Sequence, residues 1–167
     1  NFVVAWMTRY GQDGDGDGIA ARRYDAAGAP SGPPFTVNTY TTGNQARPSI
    51  DMDGAGNFVI VWDEWVGRRV FWRRYDASGI PFGPEFQVNT YTTGGQINPV
   101  VAADAAGNFV VAWTRAAVLG GNIGTIAAQR FEAAGFPLGT EFQVHTGITG
   151  GRWTPSMDAH ASGDFTV

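Results

Sequence analysis

NFVVAW at residues 1–6 returns as NFVIVW at 57–62 and NFVVAW at 108–113, and opens once more as DFTV at 164–167. The run is apolar at consecutive positions. A strand with one wet face alternates apolar and polar residues; a strand covered on both faces need not. Whatever fold this chain adopts must therefore bury both faces of the same short strand several times over.

The flanking blocks recur with it. ARRYDAAG (21–28) returns as WRRYDASG (72–79) and AQRFEAAG (128–135). PFTVNTYTTGNQ (34–45) returns as EFQVNTYTTGGQ (85–96) and EFQVHTGITGGR (141–152), and PSIDMDGAG (48–56) as PVVAADAAG (99–107) and PSMDAHASG (155–163). Units run about 1–56, 57–107 and 108–163, with 164–167 beginning a fourth, in the range of period that marks propellers and solenoids. The length difference falls between a repeated Trp (Trp6, Trp62, Trp113) and a repeated Arg (Arg23, Arg74, Arg130). Everything else keeps register.

Each unit reads as four short strands. Strand A is the RPSIDMD type, B the NFVVAW type, C the IAARRYD type and D the EFQVNT type. The links DGAG, DAAG and HASG between A and B, and DAAG, DASG and EAAG between C and D, suit a type I turn closed by a left-handed glycine. The expected fold is all-β: tandem four-stranded antiparallel units in a β-propeller-like array, with a β-sandwich and a β-solenoid as the alternatives.

Composition agrees. Only 16% of residues are charged, while 24 Gly, 9 Pro and 13% aromatics suit many strands joined by tight turns. A net charge of −4 gives no pull toward nucleic acid or an anionic membrane. No apolar run is long enough for a membrane-spanning helix. The absence of cysteine excludes disulfides and thiol chemistry. The chain opens on strand B and closes as another B begins, which predicts unfinished edges at both ends. Edges recruit strands. Further repeats, a ring with other copies, and head-to-tail joining by strand completion all meet that need.

The consensus GNFVVxW…(A/W)RRYDASGxPxGxEFQVNTYTTGxQxxPxVAxDxAG resembles repeats of very large bacterial surface and secreted proteins, of the adhesin-like and calcium-binding-like kind. The likeness covers essentially the whole chain. In that family the B–C loop often reads like GQDGSGYG, and GQDGDGDG at 11–18 matches it. The resemblance implies an extracellular or cell-surface, multi-repeat setting and transfers no catalytic residue.

Asp13, Asp15 and Asp17 have the alternate-residue spacing of a calcium loop, with Gly18 following. An EF-type loop needs a bidentate acid where Tyr24 stands, and the sister loops DEWVG (63–67) and TRAAVLGGNIG (114–124) lack the motif. No cofactor is therefore required to build a unit. Calcium and a solvated hairpin tip both stay open at this loop. Asp63 and Glu64 are adjacent on a strand, so they face opposite ways and make a poor glycosidase pair. His145 and His160 show no metal spacing, and no nucleophile elbow occurs.

The recurring Trp6, Trp62 and Trp113, with Arg23, Arg74 and Arg130, read as packing, with an Arg-over-Trp stack expected between units. Trp65, beside Arg68 and Arg69 in a variable loop, reads as a sugar or partner contact. The sequence thus points to a non-catalytic extracellular module, an adhesin segment or a self-assembling fibre, whose partners are other copies or further repeats. The alternative is a carbohydrate-binding propeller that takes glycans on its loops.

Overall fold

The computed structural model of the chain describes residues 1–9, 14–116, 124–145, 154–160 and 163–167. All regular structure among them is β-strand. A three-stranded sheet contains β1 (Phe2–Thr8), β2 (Gly18–Tyr24) and β3 (Phe35–Thr36). A four-stranded sheet follows with β4 (Gln45–Met52), β5 (Phe58–Glu64), β6 (Arg69–Tyr75) and β7 (Phe86–Gln87). A second four-stranded sheet has β8 (Gly95–Ala103), β9 (Phe109–Ala116), β10 (Thr125–Phe131) and β11 (Pro137–Gln143). The last two strands, β12 (Asp158–Ala159) and β13 (Phe165–Thr166), pair with each other. Every sheet is an antiparallel meander in chain order.

The sheets are stacked on one another, and the NFVVAW run explains why. In β5, Phe58, Ile60 and Trp62 point into a core shared with β1 and β2, where they meet Val3, Ala5, Ile19 and Ala21. Val59 and Val61, the alternate residues, point the other way, into a core shared with Val101, Phe109, Val111 and Trp113. β9 repeats the arrangement, with Val110 and Ala112 turned toward Met157 and Phe165. Period two thus sends successive apolar residues of one strand into two different cores.

The expected turns are present. Asp104 accepts from the Ala106 and Asn108 amides through Oδ1 and from the Asn108 side chain through Oδ2. The Gly107 amide donates to the Asp104 carbonyl at 3.0 Å, and Gly107 sits at φ +88°. Asp25, Asp53 and Asp76 hold their turns in the same way. Here glycine is demanded by the left-handed backbone.

Strand D is shorter than the EFQVNT block suggests. In the first two sheets it pairs over two residues and adds one more ladder bond, Val37 N–H to Ile19 O and Val88 N–H to Val70 O. A side chain then takes over the ladder. Asn38 Oδ1 accepts from the Ile19 amide at 2.8 Å, and Asn89 Oδ1 from the Val70 amide at 2.9 Å. The backbone is freed to turn toward the next sheet.

Strand A carries a bulge. Register shifts between Ala46 and Ser49 and between Ile97 and Val100, and Arg47 and Asn98 sit at φ +53° and +54° just before a proline. The sheets also group the strands differently from the repeat count made at Asn57 and Asn108. Each A strand pairs with the B strand after it, so one complete sheet spans Gln45 to Gln87.

Candidate functional site: the loop face

In β5 the last residue, Glu64, lies opposite both Gln45 and Arg69. The B–C loops and the connections between sheets therefore emerge at one end of the stack, and the Asp–Gly turns at the other. The candidate residues of the variable loops gather at the first end.

Asp63 and Glu64 are both buried, at 0% and 1% exposure. Asp63 accepts from Arg47 Nε at 2.7 Å and Arg47 Nη2 at 3.0 Å, and from the Asn98 amide of the next sheet at 2.9 Å. Burial pushes its carboxyl above the ordinary value, against the pull of Arg47 and the Asn98 amide. Glu64 turns the other way. It accepts from the Val66 and Gly67 amides and from Arg69. Each acid is spoken for by its own arginine, and the two do not share a cleft.

Trp65 is 54% exposed and rests against the Arg47 guanidinium at 5.6 Å from its ring centre. Arg68 is exposed in the same turn at φ +53°. Arg69 is drawn inward to Glu64, with Phe71 and Tyr40 rings at 5.3 and 5.6 Å. Of the three predicted contacts, Trp65 and Arg68 present themselves to solvent, while Arg69 serves the loop's own structure.

In the first loop, Asp13 lies outside the described residues. Asp15 is exposed, and its Oδ2 accepts from the Gly43 amide at 3.3 Å. The Asp17 amide donates to Asn44 Oδ1 and its carbonyl accepts from the Gln45 amide. The loop leans on the connection at 41–45. Among the described residues no three acidic or histidine side chains converge as metal ligands.

The recurring Trp and Arg do not stack on each other. Trp62 lies opposite Phe71, whereas Arg74 lies opposite Val59, three register positions away. Trp62 and Trp113 are buried, and Trp113 Nε1 donates to the buried Gln96 at 2.8 Å. Trp6, in the first sheet, is partly exposed. Arg23 reaches across to the Ala77 carbonyl of the next sheet's turn at 2.8 Å, Arg74 covers the Phe82 ring at 5.1 Å, and Arg130 is exposed.

A pair of acids escapes the sequence reading. Glu85, at the foot of β7, accepts from the Thr39 and Tyr40 amides of the preceding connection, at 2.7 and 3.1 Å. Glu141 repeats this with Thr90 and Tyr91, at 2.8 and 3.3 Å, and adds an ion pair with Arg115. Arg115 in turn lies over the Tyr91 ring. These glutamates latch each sheet to the one before it. The signal was the Glu that opens EFQV in the second and third units, where the first unit has Pro34. His145 takes the place of Asn38 and Asn89, its Nε2 accepting from the Ile126 amide at 3.3 Å.

No protein-family model and no curated protein matches the chain.

Proposed function

We propose that this chain is a non-catalytic interaction module of an extracellular repeat array, built of β-propeller-like blades that stack unit upon unit. The observation that carries it is the outward face of β1. Phe2 and Val4 are 44% and 42% exposed, whereas Phe58 and Ile60, their counterparts in the next unit, are 2% and 0% exposed under a neighbouring sheet. Apolar residues that the fold buries wherever it repeats are here left open, and covering the remaining exposed area of these two side chains contributes about 1–3 kcal/mol. The open face is completed by another copy of the chain. Light scattering of the 167-residue chain over a concentration series, with negative-stain imaging, tests this. Head-to-tail association that Val4→Arg abolishes is expected. A monomer at every concentration overturns the stacking reading.

A second reading has its own support in Trp65, which is exposed, braced by Arg47 and flanked by the exposed Arg68. An indole face beside guanidinium groups suits a sugar ring. Binding on a glycan array that Trp65→Ala removes would establish it; unchanged binding would sink it.

A further inference from the structure

In the second sheet, strand A is β4, paired with β5 and packed on β8. With β4 in place, only about 10 Å³ is left free around Asn57, Phe58, Val59 and Ala103. Their counterparts in the preceding unit are Asn1, Phe2, Val3 and Met52. There the same position is a cleft of about 200 Å³, lined by residues 1–3 and 50–52. The first sheet runs β1-β2-β3, and among the described residues no strand pairs with the outer edge of β1. An edge with unpaired backbone groups takes an added strand.

The second and third sheets specify what fits. Ser49 Oγ and Asp51 Oδ2 on β4 accept from the Val101 and Ala103 amides of β8, at 3.3 and 2.7 Å. The segment 155–159, which contains β12, repeats that pair as Ser156 and Asp158, and both are exposed. Its own B strand holds it briefly. β13 pairs over two positions, Asp158 with Thr166 and Ala159 with Phe165, where β4 pairs with β5 over six and β8 with β9 over seven. DFTV at 164–167 and NFVV at 1–4 are the same part of the repeat. Phe165 packs beside Met157 on Val110 and Ala112. Val167, like Val4, is exposed. β13 thus stands where a β1 strand would fit.

We propose that the segment 155–159 of one copy enters the cleft beside β1 of another, giving up β13 to pair with that β1. The exchange rests on the stacking of copies proposed above and names the strands that meet. β12 packs on β8, two sheets away from β1, so it serves the cleft of another copy. The pairs Met52–Phe58 and Ile50–Ile60 set the register, with Ala159 opposite Phe2 and Met157 opposite Val4. Phe2 then replaces Phe165 against Val110 and Ala112. Ser156 and Asp158 meet the Ile50 and Met52 amides, the latter leaving its own Asp51 carboxylate. β1 arrives already paired with β2 over seven positions, so little further ordering is needed. The contact is heterologous, as head-to-tail assembly requires.

The chain has no cysteine, so single cysteines report the pairing. Val4→Cys and Met157→Cys chains are mixed and oxidised, and the products are mapped by tryptic peptides. A disulfide joining position 4 of one chain to position 157 of the other is expected, and none when Asp158→Cys replaces Met157→Cys. Phe165→Ser loosens β13 and should raise the association constant about tenfold by light scattering. Association that Val4→Arg abolishes, with a disulfide between two position-4 cysteines and no 4–157 link, overturns the exchange and leaves stacking standing. Association that Phe165→Ser weakens or leaves unchanged does the same. A parent chain that stays monomeric at every concentration overturns both. If Phe165→Ser does not fold, the cysteine pairing decides.

Discussion

Tyr75 shows what burial does to a single group in this stack. Its ring lies between Phe58 and Phe35 and its hydroxyl meets the Val37 carbonyl, so burial pushes its pKa up to about 12 from 10.0. The folded state thus favours the neutral phenol. That stability is fully present below pH 10 and is lost as pH rises toward 12. Urea unfolding across this window should show a loss of roughly 2–3 kcal/mol that Tyr75→Phe does not show. Sequence reading did not single out Tyr75, because the Phe35 ring and the Val37 carbonyl that meet it lie on another unit. The pairing of Arg47 with Asp63 was equally hidden: they meet across a bulge, and neither is repeated in the next unit, where Asn98 and Thr114 stand. Recurrence marks residues that every unit needs. It is silent about pairs that only one unit has.

Among the elements, the Asp–Gly turns were the most legible, since all their bonds are local. Asp, two intervening residues and Gly already specify the acceptor, the turn and the left-handed exit. Asp104, 8% exposed, gathers three donors within four residues. Asp104→Ala should therefore destabilise by about 1–3 kcal/mol in chemical denaturation, with little change in the far-UV spectrum. Strand D was the least legible. EFQVNT has strand composition throughout, yet Asn38 and Asn89 end the ladder by substituting their own side-chain oxygens for the backbone. Composition cannot reveal that an asparagine will act as the last rung. The apolar run of strand B, by contrast, correctly required two cores, because no arrangement with one wet face accommodates it.

For the whole molecule, sheet-to-sheet attachment rests on contacts that span a unit in sequence, such as Glu141 to Thr90 and Glu85 to Thr39. A glutamate beside or within an outer strand looks like a solvated residue until its distant partner is known. Glu141 also holds Arg115, so Glu141→Ala should cost about 2–4 kcal/mol, more than Glu85→Ala. Hydrogen exchange should quicken at the Thr90 and Tyr91 amides in the first variant and at Thr39 and Tyr40 in the second. Crossed-over effects would show that the latches are not separate. The offset between repeat and sheet has a consequence for how such a gene can grow. A copied segment from Asn57 to Gly107 carries three strands of one sheet and the first strand of the next. A seam between Gly107 and Asn108 falls in the turn that joins β8 to β9, inside a sheet. A copy inserted at such a seam is knitted to its neighbours, and no segment cut there stands as a complete sheet.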